Sequence, residues 1–78
     1  MRAKALQCVV TFQTTTEAMA FEEAAKENGF SGRIIPLPRA IAAGCGLAWR
    51  EAPKGRASIE KLLSEHQLGY DRIYELVI

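Results

Sequence analysis

One short segment of the sequence combines residue types that can do covalent chemistry. Cys45 lies between Gly44 and Gly46, and glycine on each side removes steric cover from the thiol. A nucleophilic cysteine needs such access, and it needs a cation or a helix N-terminus nearby to favour the thiolate. Arg39 precedes the cysteine by six residues and can supply the charge. The segment predicts a reactive thiol at Cys45, with Gly44 and Gly46 as the binding positions beside it.

A structural explanation of the same cysteine stays open. Free cysteine behaves as a small hydrophobe, so Cys45 can instead begin a strand with its side chain turned inward. The domain would then be a non-catalytic binding or regulatory module. The two hypotheses differ at one substitution, because a reactive thiol is lost in Cys45→Ser whereas a binding module tolerates that change.

The other cysteine and the single histidine are weaker candidates. Cys8 alternates with apolar residues in a predicted strand and is expected to fill the core. A disulfide with Cys45 would require Cα atoms within about 7 Å, which a mid-strand and a loop position do not favour. His66 is expected to cap the second helix, with a role as base for the thiol as the alternative. The sequence has no Cys-x-x-Cys or His-x-x-x-His spacing, so no metal site is predicted.

The elements that must position the Cys45 segment follow from periodicity and turn residues. Strands are predicted over residues 4–12, 32–37, 46–51 and 70–78. A first helix is predicted from the capping box at 14–17 to about residue 28, ended by Gly29. A second helix is predicted over about residues 57–67, closed by Gly69. Trp49 is expected in the core, and residues 50–56 are expected to form a solvated turn of mixed charge.

This order of elements, β-α-β-β-α-β, predicts an α+β fold of the ferredoxin-like type: a four-stranded antiparallel sheet of order 4-1-3-2 with both helices on one face. Pro36 and Pro38 place the second strand at a sheet edge, because proline cannot donate to a ladder. The topology brings the end of the first strand, the start of the first helix and the Cys45 loop to one end of the sheet. The helix start would favour an anion there.

Length and charge limit the function classes. The 78 residues make one domain, 1–78, too small for a dinucleotide-binding unit. Ten basic against nine acidic residues give a net charge of +1, which argues against binding to nucleic acid. No apolar run approaches the roughly 20 residues of a membrane helix. The first residues alternate like a strand rather than a signal peptide, so a cytoplasmic protein is expected.

The chain also resembles a known family, DUF3343, whose members are described as selenium/sulfur (Se/S) carrier protein-like. The resemblance spans nearly the whole chain, and its most specific part is Pro38-Arg39 followed by Ala43-Gly44-Cys45-Gly46-Leu47. Further matching residues are Phe12-Gln13-Thr14, Ala18-Met19 and Glu22.

The resemblance implies that Cys45 carries sulfur or selenium as a persulfide or selenosulfide, with Arg39 as its basic neighbour. It implies a link to selenium metabolism and sulfurtransferase-like donor and acceptor proteins as partners. No acid/base set is evident, so a carrier or co-substrate is expected rather than a stand-alone enzyme. No cofactor is expected, and a homodimer is left open.

Overall fold

A computed structural model describes residues 4–41 and 45–78. Its elements are β1 (Leu6–Thr11), α1 (Thr15–Glu27), β2 (Arg33–Pro36), β3 (Leu47–Glu51), α2 (Arg56–Glu65) and β4 (Ile73–Val77), with a 3₁₀ turn at Pro53–Gly55. All strand pairs are antiparallel, and the sheet order is β2-β3-β1-β4. The predicted α+β fold and strand order are thereby confirmed, and β2 lies at an edge as its prolines require.

Both helices pack on one side of the sheet, called here the helix side. Three aromatic rings form its centre: Phe21 of α1 lies between Phe12 and Trp49, with ring centroids 5.5 and 5.3 Å apart. All three side chains are fully buried. Trp49 is therefore a core residue, as the sequence predicts, and not a surface platform.

The opposite side of the sheet, the helix-free face, carries a second and smaller apolar cluster. Val9 and Ala48 are fully buried there, although no helix covers them. Ile41, from the connection between β2 and β3, lies over them and is itself 7% exposed. Ile41 thus covers the part of this face around Val9 and Ala48.

Helix α1 begins and ends as its sequence predicts. The Thr14 Oγ1 atom accepts a hydrogen bond from the Glu17 backbone N–H at 3.1 Å, while the Glu17 carboxylate accepts from the Gln13 N–H at 3.0 Å. The helix ends at Asn28, and Gly29 takes a left-handed conformation with φ of 74°.

The end of α2 differs from the prediction. Gln67, with φ of 50°, takes the left-handed conformation expected of Gly69. Gly69 lies close to Glu17 instead, and a Cβ atom there would force the Glu17 carboxylate to shift. His66 is the C-cap residue that follows α2, and its backbone N–H donates to Leu62 O at 3.1 Å.

The prediction of a solvated turn over 50–56 is wrong at Glu51. This residue ends β3 on the helix side and is only 7% exposed. Its carboxylate accepts hydrogen bonds from Trp49 Nε1 at 3.0 Å, Gly32 N at 3.1 Å and Ser31 Oγ at 2.9 Å. The mixed charge of the segment does not predict this burial. The cost of burying the Glu51 carboxylate is offset by three hydrogen-bond donors that only the fold brings together.

Candidate functional site

The candidate site is the connection between β2 and β3, whose neck is closed by backbone pairing. Pro36 pairs with Leu47, and one residue further the Leu37 N–H donates to Gly46 O at 2.9 Å. Gly46 has φ of 76°, a conformation that a side chain would strain. The glycine after Cys45 is thus required by the backbone. Gly44 lies outside the described residues.

The first half of the connection forms a tight turn that displays Arg39. The Ile41 N–H donates to Pro38 O at 3.0 Å, which places Arg39 and Ala40 at the tip. The Arg39 side chain is exposed, while Ile41 is buried against Val9 on the helix-free face. The turn is anchored by its apolar residue and presents its charged one to solvent.

Cys45 lies at the other flank of the connection and is a free, half-buried thiol. Its side chain contacts the helix-side core cluster, and its Sγ donates a weak hydrogen bond to Leu47 O at 3.7 Å. The two flanks of one connection are therefore anchored on opposite sides of the sheet. Among residues 4–41 and 45–78, Arg39 forms no ion pair or hydrogen bond with Cys45, so the structure does not bring the two predicted site residues into contact.

The start of α1 lies at the same end of the sheet, since Thr11 pairs with Ala48 three residues after Cys45. Its electrostatics differ from the prediction of a free anion site. Glu17 occupies the first turn, and its carboxylate already interacts with the helix start through Gln13 N. A negative charge is the favoured partner of a helix N-terminus, and here the chain supplies one itself.

Cys8 is separated from the candidate site. It is fully buried in β1, opposite Glu51 on one side and Glu75 on the other. Burial raises the pKa of the Cys8 thiol, and nearby Arg56 offsets part of that shift. Phe12, at the site end of the sheet, follows Cys8 by four positions, about 13 Å at the usual strand rise. A disulfide with Cys45 is therefore excluded in this fold.

His66 presents an exposed side chain at the end of α2. Its backbone role is that of a helix cap, in line with the prediction. In the hydrogen-bond network of residues 4–41 and 45–78, its imidazole has no bond to Cys45.

Two residues that organise this end of the sheet are missed by sequence reasoning. Thr11 is fully buried, and its Oγ1 accepts from Arg72 N at 3.1 Å and donates to Asp71 Oδ2 at 3.2 Å. It ties the α2–β4 connection to β1. Ile41 is the other: it is one of two large aliphatic residues in the β2–β3 connection, the other being Leu37 next to the strand. Neither position has a spacing pattern that points to it in advance.

Within the described ranges, His, Cys, Asp and Glu side chains form no cluster of three or more that could hold a metal ion. In the same ranges, both helices are too short or too polar to cross a bilayer.

The comparisons with known proteins are consistent with this geometry. No curated protein and no solved structure matches the chain. A family described as "Putative Se/S carrier protein-like" matches residues 7–75, which includes the whole sheet core and the β2–β3 connection with Cys45. The match covers far more than half of the chain, and the protein therefore belongs to the Se/S carrier protein-like family.

Proposed function

We propose that this protein carries a sulfur or selenium atom on Cys45, as a persulfide or selenosulfide, between a donor and an acceptor protein. The observation that supports the proposal most directly is a free, half-exposed thiol at the neck of the β2–β3 connection in a chain of this family. The fully buried Cys8 offers no comparable access. The partners would be sulfurtransferase-like proteins of cytoplasmic selenium or sulfur metabolism.

Loading and unloading are two exchange reactions that need no external oxidant. The Cys45 thiolate attacks the outer chalcogen atom of a donor persulfide or selenosulfide; the new bond to Cys45 forms as the donor's S–S or S–Se bond breaks, and the donor thiolate leaves. An acceptor thiolate then attacks the outer atom on Cys45. The Cys45 thiolate leaves, so the carrier returns to its starting state.

The neighbouring groups would assist this chemistry by position and charge. Arg39, exposed at the tip of its turn, would approach the loaded atom or the partner when a complex forms. Gly46 has no side chain, and apart from its chain neighbours no atom of the described residues lies within 4 Å of the space that a Cβ atom there would take. Gly44 would serve the same purpose on the other side. This division of roles suits a co-substrate that relies on its partners for proton transfer.

A binding module in which Cys45 is structural is the second candidate function. It is favoured by the contacts of the Cys45 side chain with the helix-side core and by its bond to Leu47 O. In that case the connection would hold a partner without covalent chemistry.

Loading with a small persulfide separates the two functions. The Cys8→Ala variant is incubated with glutathione persulfide at about pH 7, where an ordinary thiol of pKa about 8.5 is mostly protonated. We expect intact-mass spectrometry to show the gain of one sulfur atom on Cys45, reversed by dithiothreitol. A perselenide donor should give the gain of one selenium atom.

The matched control is the Cys8→Ala/Cys45→Ser variant, which should fold with a similar melting temperature and gain no mass. Alkylation by iodoacetamide supplies a second measurement. A Cys45 that reacts with neither reagent until the protein is unfolded would overturn the carrier function and support the binding module.

A further inference from the structure

Two arginines lie side by side on the helix-free face. Arg33 of β2 and Arg50 of β3 are Cα partners in the sheet register. The same row of Cα partners continues through Val9 of β1 to Tyr74 of β4. Across the helix-free face, this row therefore contains two arginine side chains, a buried valine and a tyrosine. Like charges directly opposite on neighbouring strands destabilise a sheet, so this pair has a cost to the free molecule.

The chain offers this pair no compensating carboxylate. All nine acidic side chains lie in the described ranges, and the ion pairs there join only Lys26 to Glu22 and Arg56 to Glu60 and Glu75. Glu51, next to Arg50 in the sequence, points to the helix side, where three donors already occupy it. The positive charge of Arg33 and Arg50 is therefore left to solvent or to a partner.

The surroundings of the pair have the form of a docking surface. The lining of a shallow cavity of about 110 Å³ includes Gln7, Arg33 and Arg50, whose side chains offer N–H donors, together with Ser31, Gly32, Glu51 and Ala52. Next to it lie the half-buried side chains of Ile35, Tyr74 and Leu76. A mixed patch of arginine, tyrosine and aliphatic residues is typical of protein interfaces.

We propose that this arginine patch, formed by Gln7, Arg33, Arg50 and Tyr74, docks an acidic surface of a partner protein that presents carboxylates beside an apolar side chain. Carboxylates complement the uncompensated arginine pair, and arginine binds them in a bidentate way. The apolar neighbours favour a protein over a free inorganic anion, which would leave Ile35 and Leu76 uncovered. The inference does not require the carrier function. The patch is near the candidate site, since Arg50 follows Leu47 at the neck by three residues of β3, about 10 Å.

The test uses nuclear magnetic resonance titration of the full chain with a capped peptide in which Glu and Leu alternate. We expect the backbone amides of Gln7, Arg33 and Arg50 to shift, with binding that weakens as salt is added. The Arg33→Gln/Arg50→Gln variant should lose roughly ten-fold or more in affinity, the equivalent of 1.4 kcal/mol or more. The variant should melt at the wild-type temperature or above it, since a like-charge contact is removed.

Two controls decide what a loss of binding means. The Lys54→Gln/Lys61→Gln variant removes the same charge from exposed positions of the 3₁₀ turn and α2, and it should bind the peptide as the wild type does. Equal loss in both variants would overturn the proposal, because net charge alone would explain the binding. It would also be overturned if inorganic phosphate shifts the same amides and the peptide does not, or if the arginine variant melts well below wild type.

Discussion

At the scale of single residues, the two cysteines of this small domain have been given different environments by the sheet. Cys45 is half-buried at one end, whereas Cys8 is fully enclosed in a central strand with Glu51 and Glu75 beside it. The alternation of β1 predicts the burial of Cys8, because only that placement puts its apolar neighbours inside. The sequence does not predict the flanking carboxylates, since they follow from register.

The burial of Cys8 predicts a pH dependence of stability. Desolvation raises the pKa of the Cys8 thiol above its ordinary value, so the folded state disfavours the thiolate. The stability that the neutral thiol contributes is fully present below the unfolded pKa and is lost as pH rises towards the folded pKa. Between about pH 8 and pH 10, the wild type should lose more unfolding free energy than Cys8→Ala.

Urea denaturation at several pH values measures this difference, and the comparison cancels the lysine and tyrosine titrations that both proteins share. Parallel stability curves for the two proteins across that range would contradict the prediction. The Cys45→Ser variant, measured in the same way, controls for the second thiol.

At the scale of elements, the sequence predicts a helix end correctly where one residue determines the backbone conformation. It fails where the role of a residue depends on contacts between two elements. The Thr14 cap and Gly29 are local, and both are confirmed. Gly69 is not local: its lack of a side chain makes room for Glu17, 52 residues earlier in the sequence. A helix stop and a point of close approach have the same residue type, and only the packing distinguishes them.

Replacing the left-handed residue at the end of α2 with glycine should raise the stability of the protein. Gln67 has φ of 50°, a conformation that costs a non-glycine residue about 1 kcal/mol. We expect Gln67→Gly to raise the unfolding free energy by about 0.5–1 kcal/mol and the melting temperature by a few degrees. Thermal unfolding followed by circular dichroism measures the change.

Gly69→Ala is the paired variant. It should lower the melting temperature, because the new Cβ would displace the Glu17 carboxylate from the start of α1. If Gln67→Gly destabilises the protein while Gly69→Ala does not, the prediction is contradicted: residue 67 would not be strained by its left-handed conformation, and residue 69 would not need to be glycine.

Glu51 ties β3 to the connection between α1 and β2, and its removal should show how much stability this link contributes. Glu51→Ala leaves the Trp49 indole N–H and the Gly32 N–H without their acceptor. A buried donor left unsatisfied costs about 1–3 kcal/mol, so a loss of about 2–4 kcal/mol is expected. Urea denaturation followed by Trp49 fluorescence measures it.

Glu51→Gln is the conservative comparison. Its amide oxygen can accept from both N–H groups, so most of the stability should remain. An alanine variant within about 0.5 kcal/mol of wild type, the usual range of surface substitutions, would show that water replaces the carboxylate at no cost.

At the scale of the whole molecule, the fold follows from the sequence and the site only in part. The order of six elements and the edge prolines suffice for the sheet order, because few topologies satisfy both. The unusual length of the β2–β3 connection also identifies Cys45 and Arg39 as candidates. The packing of Ile41 and Cys45 against opposite sides of the sheet does not follow, since it depends on contacts that only the folded sheet provides.

This packing has a thermodynamic consequence. Ile41 packs on the helix-free face and Cys45 packs on the helix side, although only three residues lie between them in the sequence. Suppose that a partner bound at one side of the sheet changes the free energy of the chemical states of Cys45. Coupling between two sites is reciprocal, so the chemical state of Cys45 must then change the affinity for that partner by the same factor. Under the proposed carrier function, the empty and loaded forms of the domain would therefore be able to differ in affinity for the same partner.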